Sequence, residues 1–120
     1  MSGQIVDAAL KVHSTLGPGL LERAYQACLA HELRKRCVGL RMEVPMPVHY
    51  DGAELDLAYR IDLLVESNVV VEVKAVAKLL PVHQAQLLSQ LRLSGCRVGL
   101  LINFNVTHLR DGIVRMVNNL

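Results

Sequence analysis

Arg60-Ile61-Asp62-Leu63-Leu64-Val65-Glu66 and Val69-Val70-Val71-Glu72-Val73-Lys74 are two β-rich runs joined by Ser67-Asn68, and each carries ionisable residues among apolar ones. Charge inside a strand that is otherwise Val, Ile and Leu is costly unless something compensates it. A divalent cation would compensate Asp62 and Glu72. Lys74, two residues beyond Glu72, faces the same way in a strand. A carboxylate followed by Glu-x-Lys is the set a metal-dependent phosphodiester hydrolase needs.

Strand parity tests the pairing. If Ser67-Asn68 were a two-residue turn, Glu66 would pair with Val69, and Asp62 would lie opposite Val73 on the wrong face. A three-residue loop, Glu66-Ser67-Asn68, pairs Val65 with Val69 and sets Asp62 opposite Glu72. Such loops end in a left-handed residue, which Asn tolerates. The metal arrangement therefore requires the odd-length loop. The alternative is a solvated hairpin face with cross-strand charges.

Two helical stretches offer further polar groups. At ~100° per residue, Glu22, Tyr25, Leu29 and Leu33 share one face of a helix from about Leu20 to Arg36. Glu22 then heads an inward stripe, although acids are favoured in any first helical turn. His83, Gln86, Gln90 and Ser94 form a polar stripe on a later helix, either its solvent side or a border to the sheet's carboxylates. In the second case Gln86 would orient a water or a phosphate. Arg34, Lys35 and Arg36 read as a charged helix end. Gly17-Pro18-Gly19 lacks the Lys-Ser/Thr of a phosphate-binding loop.

These residues need a frame. Ile5, Ala8, Ala9 and Val12 predict a first helix over about 3 to 15, ended by Gly17-Pro18-Gly19. Residues 41 to 50, with Pro45 and Pro47, suit an edge strand, and Asp51-Gly52 marks a hairpin turn. Strands at about 54 to 65 and 69 to 76 follow, then a helix from Pro81 to near Gly95, a strand from Val98 to Phe104 and a final helix over 107 to 118. The order is ααβββαβα, an α/β fold with a four-stranded mixed sheet flanked by helices.

At 120 residues the chain reads as one domain. Its apolar content of 52% is that of a packed globule, with no run of membrane-spanning length and no signal peptide. Cys28, Cys37 and Cys96 form no Cys-x-x-Cys pair, which points to reduced thiols in the cytoplasm and away from a zinc site. A net charge of +2 permits nucleic-acid binding without the strongly basic footprint of a dedicated binder. The absence of Trp leaves little platform for base stacking.

Gly19-Leu20-Leu21-Glu22-Arg23-Ala24-Tyr25, Tyr59-Arg60-Ile61-Asp62-Leu63 and Val71-Glu72-Val73-Lys74-Ala75 are three ordered blocks. With Pro81-Val82-His83 through Gln86-Leu87-Leu88, and Leu100 through Phe104, they resemble the GxxExxY family of the PD-(D/E)XK nuclease-like superfamily over nearly the whole chain. The resemblance implies a restriction-endonuclease-like core and hydrolysis of DNA or RNA by a metal-activated water. It implies Asp62 and Glu72 as ligands of Mg²⁺ or Mn²⁺, Lys74 as the cation beside the attacking water, and Glu22 as the helical acid. Some nucleases of the superfamily carry Gln-x-x-x-Tyr on the next helix; Gln86 matches the first position, and Gln90 stands in the second. Mg²⁺ takes oxygen ligands and keeps several waters, so the carboxylates with the backbone carbonyl of Val73 would suffice. The competing expectation is a nuclease-like fold serving as a non-catalytic binding or regulatory module. A 13.3 kDa domain cannot cover both strands of a duplex alone, so a homodimer is expected, through an interface no sequence feature fixes.

Overall fold

Ile5, Ala8, Ala9 and Val12 are buried along one stripe of the first helix, α1 (Ser2–Leu16). The computed structural model describes residues 1–57 and 59–118. After α1 the chain turns through Gly17 (φ 67°) and Gly19 (φ 105°), backbone conformations that favour glycine, into α2 (Glu22–Lys35). Tyr25 fixes that entry. Its hydroxyl donates to the Gly17 carbonyl at 2.6 Å and accepts the Leu20 N–H at 3.0 Å, while its ring stacks on Phe104 at 4.7 Å. The loop is thereby tied to the core, and Glu22 is set as the first residue of α2.

The strands are β1 (Leu40–Pro45), β2 (Val48–Tyr50), β3 (Ala53–Leu55), β4 (Arg60–Val65) and β5 (Val69–Lys74). The third helix, α3 (Pro81–Ser94), is followed by β6 (Val98–Asn103), a 3-10 turn (Leu109–Gly112) and β7 (Ile113–Val117). Five strands form one sheet in the order β1-β4-β5-β6-β7. β5 and β6 are parallel, joined through α3, and the other neighbours are antiparallel. α1 and α2 cover one face over Leu63, Val65, Val71, Val73, Leu100 and Ile102. α3 covers the other through Leu87 and Leu91, which pack with Ile61, Leu64, Val70 and Leu101.

The mixed α/β sheet between helices is the expected architecture, with three differences. The final helix predicted over 107 to 118 is instead the 3-10 turn and β7, because Ile113-Val114 and Met116-Val117 suit a strand and β6 has a backbone edge to pair. The sheet accordingly has five strands. The strands predicted at 41 to 50 and 54 to 65 each divide, the first at Pro47, which has no N–H to continue a ladder. The middle segment leaves the sheet as a separate β2–β3 hairpin, turned at Asp51 (φ 53°) and Gly52 (φ 75°).

The β4–β5 loop has the odd length that the metal arrangement requires: Val65 pairs with Val69, Leu64 with Val70 and Leu63 with Val71. Its left-handed residues are Glu66 (φ 52°) and Ser67 (φ 55°), whereas Asn68 was expected to take that role. The Asn68 N–H closes the turn on the Val65 carbonyl at 2.9 Å. Glu66 is held in this conformation by Gly39, whose amide donates to the Glu66 carboxylate at 3.1 Å and whose carbonyl accepts the Glu66 N–H at 2.9 Å.

Alternation fails at one step of the sheet. Residues two apart in a strand share a face, yet Leu40 and Met42 pack on the α1–α2 side while Val44 and Met46 pack on the α3 side. β4 reverses at the same level, with Leu63 and Val65 on the first side and Ile61 on the second. The left-handed residue Glu43 (φ 53°) lies at the switch. Pairing of β1 with β4 runs from Leu40–Val65 to Met42–Leu63 and resumes at Val44–Ile61, leaving out Glu43 and Asp62. A non-glycine residue held there costs about 1–3 kcal/mol.

Tyr25→Phe keeps the ring stack and removes both hydroxyl hydrogen bonds. At about 0.5–1.5 kcal/mol each, the variant is expected to lose about 1–2 kcal/mol in urea denaturation; unchanged stability would show that the loop before Glu22 is held by other contacts.

Candidate active site

Three carboxylates from three elements meet where the reversed step lies. Glu22 at the start of α2, Asp62 in β4 and Glu72 in β5 each offer an oxygen, and these oxygens all lie within 4.8 Å of one another. Asp62 is placed by the opening of the β4–β5 ladder. After Leu63–Val71 the backbone pairing stops, and the Asp62 carboxylate accepts the Val73 N–H at 2.8 Å. A side chain thus stands where a neighbouring strand's carbonyl would be.

Glu72 is buried, with 6% of its surface exposed. The amide of Gln90, itself buried on α3, donates to the Glu72 carboxylate. Burial pushes the Glu72 carboxyl up to about 8; a hydrogen bond and charge repulsion from Asp62 act in the same direction, and Gln90 and Lys74 oppose them. Glu22 is also held above its ordinary range. Its burial is the main cause, opposed first by Lys74 and reinforced by Asp62 and Glu43.

Lys74 lies half-buried at the end of β5, its backbone tied down from β6: the Phe104 N–H donates to the Lys74 carbonyl at 2.9 Å. Asn103, buried at the end of β6, holds the next turn through both its amide atoms, bonding the N–H and C=O of Val76 at 3.0 Å each. Lys74 shares an open cavity of about 280 Å³ with Tyr59, Arg60, Glu72, Gln86 and Gln90.

Most of the residues singled out from the sequence converge here. Glu22, Asp62, Glu72 and Lys74 come together, Val73 meets Asp62 through its amide, and Gln86 is exposed at the cavity wall. His83 serves the helix: its Nδ1 accepts the Leu80 N–H at 2.9 Å in the α3 cap. Ser94 closes on the Leu91 carbonyl at the far end of α3. Lys35 and Arg36 pair with Glu32 at 3.8 and 3.1 Å, the charged helix end expected for them.

Gln90 holds the buried carboxylate, which is the border to the sheet's carboxylates that one reading of its polar stripe gave. Three residues escaped the sequence. Arg60 shares the cavity, and the only signal was its parity with Asp62. Gln26 and Glu43 join behind Asp62: the Gln26 amide donates to the Glu43 carboxylate at 2.6 Å and to the Asp62 backbone carbonyl at 3.2 Å. Gln26 lies one helical turn after Glu22, which was the available hint.

The donor set suits a hard divalent cation. Three carboxylates converge against Lys74, and oxygen-only ligation is what Mg²⁺, Ca²⁺ and Mn²⁺ take. Without such an ion, burial first and the neighbouring Asp62 second favour the protonated form of Glu72.

Residues 1–116 match the family model of the PD-(D/E)XK nuclease superfamily. The chain belongs to the PD-(D/E)XK nuclease superfamily. No curated protein and no solved structure matches it. Nucleases of this superfamily generally use divalent metals, and the acidic cluster of this PD-(D/E)XK protein lies at the open end of the β4–β5 pair. Among the described residues, no helix is long and apolar enough to cross a membrane.

A carboxyl whose pKa rises on folding stabilises the fold most below its ordinary value, here 4.5, and that contribution is lost as pH climbs through about 8. In EDTA the melting temperature is therefore expected to fall across that interval. Glu72→Gln, which stays neutral, should flatten the decline and melt above wild type at pH 8. A wild-type melting temperature that does not fall over that range would show that Glu72 is not held protonated by its surroundings.

Proposed function

We propose that this protein is a metal-dependent phosphodiesterase that hydrolyses DNA or RNA. The observation that carries the reading is the convergence of Glu22, Asp62 and Glu72 from three separate elements, with Lys74 beside them. Asp62 and Glu72 would hold Mg²⁺ or Mn²⁺, with Glu22 and the Val73 carbonyl completing the protein's oxygen donors. A bound divalent cation supplies a water of lowered pKa and offsets charge on the phosphate.

The chain's own groups supply the rest. Lys74, a compact cation on an anchored strand end, offsets the negative charge that builds on the phosphoryl oxygens. Arg60 and the Gln86 amide, in the same cavity, bind non-bridging oxygens and orient the phosphodiester. The Asp62 carboxylate is fixed by the Val73 amide and the Glu72 carboxylate by Gln90, so both would be held in place to ligate a cation. The cavity is open, which suits a polymer passing across the site better than an enclosed small molecule.

Calorimetric titration with Mn²⁺ and Mg²⁺ is expected to show binding to wild type and its loss in Asp62→Ala and Glu72→Ala. Cleavage of labelled DNA and RNA should follow metal addition. Lys74→Met should keep metal binding and lose roughly a hundredfold or more in cleavage rate. A folded wild type that binds neither metal would overturn the proposal, and nucleic-acid binding that persists in EDTA without cleavage would favour a binding module.

A further inference from the structure

Gln26 and Glu43 lie behind the carboxylate cluster, and the role just proposed for Glu22, Asp62 and Glu72 leaves them unused. Glu43 has φ 53° in the middle of β1, the one left-handed residue of that strand. Gln26 is a buried amide on α2. Neither feature is explained by packing. Glu43 is exposed, and an apolar side chain at position 26 would serve the helix–sheet contact as well.

The two residues solve one problem together. Asp62 must leave the regular ladder for its carboxylate to reach the Val73 amide and the acids around it. The left-handed turn at Glu43 removes β1's pairing with Asp62, which leaves the Asp62 carbonyl without a strand partner. The Gln26 amide takes that carbonyl at 3.2 Å, and the same nitrogen donates to Glu43 Oε1 at 2.6 Å. Glu43 can only accept when ionised, so it selects the amide orientation that points the nitrogen at Asp62. Glu22 and Gln26, four residues apart on one helix face, then reach the carboxylate and the carbonyl of the same aspartate.

We propose that Gln26 and Glu43 are a positioning pair that holds Asp62 in the geometry required for metal binding. The pair rests on the metal-site reading above and names the residues through which β1 and α2 control it. It acts through hydrogen-bond geometry at the Asp62 backbone and leaves the coordinating groups themselves unchanged.

Mn²⁺ affinity and melting temperature, measured together on four proteins, test it. Glu43→Gly fits the left-handed backbone and lacks the acceptor. It should melt at or above the wild-type temperature and bind Mn²⁺ about tenfold to a hundredfold more weakly, the loss typical when support of a ligand is removed. Gln26→Met should weaken Mn²⁺ comparably while remaining folded. Glu43→Gln keeps an acceptor oxygen for the Gln26 amide and should retain most of the affinity. Equal losses in Glu43→Gln and Glu43→Gly would mean that Glu43 acts through charge alone, overturning the pair. Wild-type affinity in both Glu43→Gly and Gln26→Met would overturn it while leaving the metal site standing. If wild type binds no Mn²⁺, the site reading fails and the pair fails with it.

Discussion

The structure depends on one substitution of hydrogen-bond partners, in which the carboxylate of Asp62 takes the Val73 N–H that a strand carbonyl would otherwise hold. A buried backbone N–H must find an acceptor, so β4 can part from β5 only because a side chain fills the position. Parting opens a cavity beside the end of β5, lined by Glu72 and Lys74. On the other side, the left-handed turn at Glu43 takes β1 out of register with Asp62 and frees its carbonyl, where the Gln26 amide meets it. The sheet opens into a site with the Val73 N–H and the Asp62 carbonyl both paired.

Electrostatics follows from that geometry. Three carboxylates brought within 4.8 Å of one another, one of them buried, are an unfavourable arrangement by themselves. The fold holds it with fixed donors: the Val73 amide on Asp62, the Gln90 amide on Glu72 and the Lys74 cation nearby. Such a charge pattern costs stability, and a bound cation would relieve it, as expected where function overrides packing. The strained Glu43 belongs to the same economy, since backbone strain persists only where surrounding contacts over-determine it.

Much of this was legible in the residues. Charged side chains in Val-rich strands singled out these positions, and a metal arrangement there required, by parity, the odd-length loop that pairs Val65 with Val69. Helical periodicity put Glu22 on the inward face that carries Tyr25, Leu29 and Leu33. What escaped depends on long-range context. A glutamate in a left-handed conformation has no signature, because nothing local to Met42-Glu43-Val44 demands it; the demand comes from Asp62 across the sheet. The stripe of Gln90 read equally as a solvent side or a border to the carboxylates, because the choice depends on Glu72, eighteen residues earlier in the chain. β7 read as helix because the edge of β6 that recruits it cannot be seen in its own sequence.

The account rests on Glu22, Asp62 and Glu72 forming one cation site. Anomalous diffraction from crystals grown with Mn²⁺ tests this directly, since the signal locates the ion without reference to activity. The account predicts a peak bounded by oxygens of Glu22, Asp62 and Glu72, with Val73 and Lys74 adjacent. A peak elsewhere on the protein, or none among these carboxylates at saturating Mn²⁺, would contradict it.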